Sequence, residues 1–484
     1  MRIKHTYKTI LTLFGVLFCY TLLAQQQGIA ENELIYSTDQ HLFTQTGNAL
    51  FAVKEIKISG NQKTKDNIIL RELSFKEGEE YALPELVEKF NETRKQLMNS
   101  GMFQDVVVSL NSLQGYDAVV NVAVKERWYI FPQPFLRVVD QNVQDWVKNQ
   151  DMNLSRVNYG FRIMHRNFTG RNDRLYANFT NGYTQEVALR YEGLRIDKQL
   201  KWSINFDVAF GKTREINYNT EAHRYIAYKN PESFVQDFLR TSASLTYRPA
   251  IKTTHTFGIG YSYFNISDTV FKMNEMFSFQ EKQIRYPEVF YRLQHFDVDF
   301  IPYPTKGYAA DISIQKKGFS KEVNLTQLTA RTSASWPLTQ KSFFNVKATG
   351  AIKIPFKQPF TMQQFVGSSN MYLQGYEDYI INGVAGGFTK ATFTRSLFQT
   401  SVNIPSEKIK KLNHIPIKAY AKVFGNAGYI YTNLPGNHYL NNRILYSGGV
   451  GLDIILFYDF AIKLEWSLNH LRQNGIYLHD RYYL

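Results

Sequence analysis

From residue 127 to its end the chain alternates apolar and polar residues in one segment after another, and this period of two constrains the fold more than any other feature. Trp202, Ile204, Phe206, Val208 and Phe210 fall on one face, with Ser203, Asn205, Asp207 and Ala209 on the other. Near the C-terminus Phe460, Ile462, Leu464, Trp466 and Leu468 oppose Ala461, Lys463, Glu465, Ser467 and Asn469. Successive side chains of a strand point to opposite faces, so each segment reads as a strand with an apolar and a polar side. A soluble sandwich would bury the apolar side, whereas a membrane barrel would turn it to lipid and line its lumen with the polar one.

Three further observations decide for the barrel. The chain opens with Arg2, Lys4 and Lys8, then an apolar run from Ile10 to Leu23 ending at Ala24, the pattern of a secretory signal peptide. No later segment holds the roughly 18 uninterrupted apolar residues of a helical span, so an exported chain can cross a membrane only with strands that close on themselves. The strands also approach the ~10 residues a bilayer needs, with Tyr and Phe abundant near their ends. About sixteen strands are expected, beginning near residues 128, 156, 173, 184, 201, 236, 253, 287, 307, 323, 342, 388, 415, 444, 459 and 475. The longest interruptions, about 355–387 and 212–235, are expected to be extracellular loops, because barrels of this kind keep their periplasmic turns short.

Residues 51–126 follow a different rule. Val53 to Ser59 alternates and ends at Gly60-Asn61, two helical runs follow at Lys65–Leu73 and Leu83–Ser100, and two more strands cover Val106–Leu110 and Tyr116–Glu126. Pro84 near the start of the second helix and Gly101 just past its end suit both residues. The expected organisation is a signal peptide at 1–24, an N-terminal extension at 25–50, a small α+β domain at 51–126 and an antiparallel transmembrane β-barrel at 127–484.

Composition narrows function. Cys19 is the only cysteine and lies in the expected signal peptide, behind the bulky Phe18, so the mature chain is expected to carry no thiol, disulfide or lipid anchor. The net charge of +14 becomes about +11 without Arg2, Lys4 and Lys8, but it is scattered singly along strands and loops. Anionic lipid headgroups are the expected partner and nucleic acid is not. His295, Asp297 and Asp299 share a strand face and read as lumen-facing polar residues rather than a metal or acid-base site. No hydrolase, metalloprotease or phosphate-loop motif occurs, so no enzyme activity and no cofactor are expected.

Several stretches carry a family resemblance by their order and spacing. The β-α-α-β-β order of 51–126, with Gly60-Asn61, Phe75-Lys76-Glu77-Gly78 and Gly101-Met102-Phe103 at its joints, resembles a POTRA domain. Asn167-Phe168-Thr169-Gly170-Arg171, Phe296-Asp297-Val298-Asp299 with Pro304-Thr305-Lys306-Gly307-Tyr308, Phe424-Gly425-Asn426-Ala427-Gly428 and Ser447-Gly448-Gly449-Val450-Gly451-Leu452 resemble turns and strands of the BamA/TamA family of outer-membrane insertases and translocators. The resemblance implies a Gram-negative outer-membrane location with the POTRA domain in the periplasm. It implies unfolded or exported client proteins as partners, received by strand addition to the POTRA sheet edge, and accessory proteins beside them. A passive pore or scaffold of the same architecture is the alternative.

The resemblance also implies two sites. The first is a loop after the eleventh strand whose Arg-Gly-aromatic tip folds into the barrel; here it reads Leu373-Gln374-Gly375-Tyr376, with Gln374 in place of arginine. The matching aspartate of the thirteenth strand is Asn426, and no Asp or Glu occurs between Phe388 and Pro405. The tip is expected to dock near Asn426 through a Gln–Asn amide contact, and Gln374→Arg to destabilise for want of an anion. The second site is the seam between the first strand, about Trp128–Asp140, and the last, about Gly475–Leu484. Pro132 and Pro134 lack N–H donors on one side of the first strand and are expected to face that seam. The chain ends Tyr482-Tyr483-Leu484, where such barrels usually finish in Phe.

Overall fold

The computed structural model describes residues 49–138, 147, 157–274, 277, 281–321, 323–367, 371–403, 414–433, 439–456 and 460–479. The signal peptide, most of the extension, Tyr482 and Leu484 lie outside them.

The first domain contains β1 (Leu50–Ser59), α1 (Asp66–Leu70), β2 (Glu80–Ala82), α2 (Leu83–Asn99), β3 (Phe103–Gln114) and β4 (Asp117–Glu126), with sheet order β2-β1-β4-β3. The short β2 was not legible in the sequence, since three residues are too few to show a period. Val53 of β1 and Val120 and Val122 of β4 bury one sheet face against Ile68, Ile69, Leu86 and Leu97 of the helices. Gly60 leaves β1 at φ +85°, and a Cβ there would lie 1.9 Å from the Val124 carbonyl oxygen, so the turn admits only glycine.

The barrel begins with β5 (Ile130–Val138), β6 (Val157–Arg166), β7 (Arg174–Gly182), β8 (Thr184–Arg195) and β9 (Trp202–Thr213). A loop hairpin, β10 (Glu215–Glu221) and β11 (Arg224–Lys229), precedes β12 (Gln236–Ala250), β13 (Thr253–Ile266), a short helix α3 (Asp268–Met273) and β14 (Gln283–Val298). β15 (Gly307–Lys317), β16 (Leu325–Pro337) and β17 (Ser342–Ile354) lead into a long loop holding β18 (Gln364–Val366) and β19 (Ile381–Asn382). β20 (Ala385–Asn403), β21 (His414–Tyr431), β22 (Ile444–Ile455), β23 (Ala461–Asn469) and β24 (Asn474–His479) complete it. With the two loop hairpins set aside, the strands form one antiparallel sheet of sixteen in chain order, from β5 to β24.

The alternation resolves as the sequence predicts. Phe206, Phe210, Leu464 and Trp466 are exposed on the outside, while Ser203, Glu465 and Ser467 are buried inside. So many exposed large apolar residues suit lipid, not water. The 212–235 interruption is more ordered than expected. Its hairpin ends at Ala222 and His223, both at positive φ. The His223 carbonyl accepts the Ile380 N–H at 2.8 Å, and its Nε2 accepts the Leu440 N–H at 2.9 Å. Three loops are thereby tied together.

Candidate functional site: the inner loop, the periplasmic joint and the seam

The long loop turns inward, and its tip is among the most buried parts of the chain. Leu373 and Tyr376 are essentially inaccessible, and Gln374 is buried. Gly375 sits at φ +87°, and a Cβ on it would come within 2.8 Å of the Ser447 Cβ, so both conformation and space require glycine. Three neighbouring strands grip the tip. Asn426 of β21 donates to the Gln374 carbonyl at 3.4 Å, Ser447 Oγ of β22 donates to the same oxygen at 2.5 Å, and Asn469 Nδ2 of β23 donates to the Gly375 carbonyl at 2.8 Å. Tyr376 OH donates to the Tyr446 carbonyl at 3.0 Å, and Asp378 Oδ2 accepts from Tyr477 OH of β24 at 3.3 Å.

This arrangement corrects two expectations. Asn426 meets the main chain of Gln374, not its side-chain amide, because the turn at Gly375 presents carbonyls to the wall. Anions are also present: Asp453 and Glu465 line the same lumen cavity as Gln374. They sit on β22 and β23, beyond the strands where acids were sought. Lys422 binds both, Asp453 at 2.6 Å and Glu465 more closely still. Ser447 and Asn469 were missed as well, although their inward parity on β22 and β23 was available in the alternation.

The first domain is built into the rim beneath β6 to β14. Asn167 Nδ2 donates to Thr64 Oγ1 at 2.9 Å and the Lys65 N–H to the Gly170 carbonyl at 3.0 Å. A Cβ on Gly170 would lie 2.3 Å from the Lys63 carbonyl oxygen, which explains the glycine of the Asn-Phe-Thr-Gly-Arg turn. Lys95 and Lys252 both reach Asp297, at 3.2 and 3.1 Å. His295 and Asp297 share the outward parity of the exposed Val289, with His295 stacked on the exposed Tyr308, so neither lines the lumen as expected, and Asp297 instead holds the domain. Asp299 accepts the Thr305 N–H at 2.9 Å and shapes its turn, and His295 meets Thr253 at 2.9 Å, so the three form no common site.

The strongest link of this joint is Glu72, whose side chain is 2% exposed. Arg248 of β12 holds its carboxylate with two bonds of 2.5 and 2.8 Å, and Arg71 adds one of 2.7 Å. Burial alone would push this carboxyl up, but the Arg248 and Arg71 guanidiniums outweigh it and bring the pKa to about 2.

At the seam, the sheet order ends at β5 and β24, and among the described residues no ladder pairs the two. The Arg166 N–H donates to the Tyr129 carbonyl at 2.8 Å, and the register then runs Ile130↔His165 to Val138↔Val157. Hydrogen-bonded and non-hydrogen-bonded pairs alternate along such a ladder. Pro132↔Ile163 and Pro134↔Phe161 therefore fall on non-hydrogen-bonded positions. Both proline nitrogens point away from β6, toward the free edge of the sheet.

Comparison with known proteins places this architecture. Residues 51–127 match the POTRA family, described as a surface antigen variable number repeat, and residues 167–456 match the Omp85 superfamily domain. The chain belongs to the Omp85 superfamily. A curated relative, the outer membrane protein assembly factor BamA of Neorickettsia risticii (strain Illinois), is 32% identical over 77 residues. That match covers 16% of this chain and 10% of the relative, so the Omp85 chain described here spans about a tenth of that relative's length in the match. Among solved structures, BamA from Haemophilus ducreyi lacking POTRA domains 1–3 aligns with a TM-score of 0.50 at 16% identity, covering 89% of this chain and 83% of that one. CdiB from Escherichia coli aligns at 0.53 with 10% identity, covering 89% and 74%. At such identities both likenesses concern the fold. In this Omp85 member the inward loop is held by hydrogen bonds from Asn426, Ser447 and Asn469 to the main-chain carbonyls of Gln374 and Gly375.

Proposed function

We propose that this Omp85 protein works without covalent chemistry in the outer membrane of a Gram-negative cell, with its POTRA domain in the periplasm, and assists insertion or passage of client proteins. Clients or accessory proteins add a strand to the free edge of β3, a twelve-residue edge strand, since the other edge, β2, has only three residues. The β5/β24 seam then opens to receive the client. One observation carries this reading: the edge facing β24 lacks donors at Pro132 and Pro134, so a ladder formed there loses about two bonds of net ~1 kcal/mol each. Against a passive pore stands the buried loop tip inside the lumen, and bilayer conductance should accordingly be mostly closed and flickering.

The chain has no cysteine after Cys19, so one cysteine placed in β5 and one in β24 can be cross-linked selectively. Oxidation in cells should abolish assembly or export of clients, and reduction should restore it. Full function in the cross-linked state would overturn the lateral seam.

A further inference from the structure

Glu377 follows the loop tip directly, Glu465 faces inward from β23, and His479 faces inward from β24 beside the exposed Leu478. One ligand atom of each lies within 4.8 Å of the others. His479 Nε2 stands 3.3 Å from Glu465 Oε2 and 3.5 Å from Glu377 Oε1. The Glu465 side chain is 1% exposed, and both its Oε2 and His479 Nε2 are buried without a hydrogen bond.

Both separations are within ion-pair range but loose for one. A charge-assisted N–H···O bond spans about 2.7–2.9 Å, shorter than either separation. Nε2 carries at most one proton, which two carboxylates would have to share in a weakened three-centre bond. Donor atoms held about 2.0–2.2 Å from a tetrahedral ion, by contrast, stand about 3.3–3.6 Å from one another. Both separations fall in that interval. Imidazole nitrogen and carboxylate oxygen are donors that zinc-like ions accept.

We propose that Glu377, Glu465 and His479 bind a divalent metal ion of the zinc type, with a fourth position left for water. The charge is reasonable. Lys422 shares its cation between Asp453 and the other oxygen of Glu465, and Lys390 lies 3.6 Å from the centre of the Tyr372 ring, which itself packs beside His479. The lumen cavity, which Glu465 helps to line, supplies the route in. The ion joins the inner loop, β23 and the edge strand β24, and so fixes one side of the seam. This holds whether or not the seam opens for clients.

The test uses untagged mature protein purified in detergent, stripped with a chelator and titrated with Zn²⁺ by calorimetry, then with Co²⁺, whose visible absorption reports coordination. One ion per chain, a tetrahedral cobalt spectrum and a raised temperature for loss of the folded-barrel gel mobility are expected. His479→Gln and Glu377→Gln should each weaken binding about 100-fold or more. Failure of the wild type to take up either ion, a six-coordinate cobalt spectrum, or folded variants that bind as tightly as wild type would each overturn the site. If neither variant folds, the wild-type stoichiometry and cobalt spectrum decide alone.

Discussion

Two stretches of the barrel wall are stiffened by different means. The first, β6 to β14, is held from below: its turns and strand ends meet the POTRA domain through Thr64, Glu72, Lys95 and Asn99. The second, β21 to β24, is held from within by the loop tip and Asp378. The first joint rests largely on ion pairs, the second largely on hydrogen bonds to main-chain carbonyls and a buried tyrosine, with Asp378 and Glu377 as its charged contacts to β24. Each ends near one side of the seam: Tyr129, just before β5, touches Thr64 at 3.1 Å, and Tyr477 lies on β24. A barrel braced in two separate stretches can yield at the seam between them without losing either. The comparison teaches that the seam is defined as much by what stiffens its flanks as by the pairing it lacks.

The largest effect should come from removing the anchor of the inner brace. Tyr376→Ala leaves a large cavity in the loop cluster and should cost about 3–5 kcal/mol of barrel stability. Urea unfolding in detergent measures it, and protease resistance of the POTRA joint should stay unchanged. A cost below about 1 kcal/mol would show that the loop does not brace that wall.

The outer brace should break at a single carboxylate. Glu72→Gln leaves Arg248 and Arg71 without a buried counter-charge and should weaken the joint by about 3 kcal/mol, seen as faster hydrogen exchange at the POTRA face. Its pH dependence has a definite sign. The folded-state pKa of about 2 lies below the ordinary 4.5, so this stabilisation is complete above about pH 4.5 and is lost as pH falls from there toward 2. In Glu72→Gln the acid weakening in that window should disappear. A joint that titrates identically in both proteins would remove Glu72 from its central place.

The smallest effect sharpens the picture of the tip. Asn426→Ala alone should cost about 1 kcal/mol, because Ser447 still serves the Gln374 carbonyl. Asn426→Ala with Ser447→Ala should cost more than the two single changes together, since only the pair leaves that carbonyl buried without its donors. Strict additivity would mean that the two side chains do not share it.

Strand positions were legible almost residue by residue because lipid outside and polar lumen inside impose one period on every strand, as Trp466 and Glu465 illustrate. Gly375 and Tyr376 were legible from the family resemblance alone. What escaped was anything that depends on which strand stands opposite: the reach of Asn469 to Gly375, and the capture of Asp453 and Glu465 by Lys422. Asp297 was misplaced because the face itself was misread: it pairs with the exposed Tyr308 and shares the outward parity of Val289, while Arg292 and Gln294 face inward to Asp311.

The sequence by itself thus determined a sixteen-stranded barrel with a small α+β domain before it, because alternation, turn residues and helical spacing are local and survive without knowledge of neighbours. Only the tertiary structure decided how Gln374 is held, where Glu72 finds its arginines, and that Glu377, Glu465 and His479 converge. Such contacts join residues far apart in the chain, 73 positions for Ser447 to Gln374 and 176 for Arg248 to Glu72. They exist only once register and barrel closure have set which side chains share a level inside the wall.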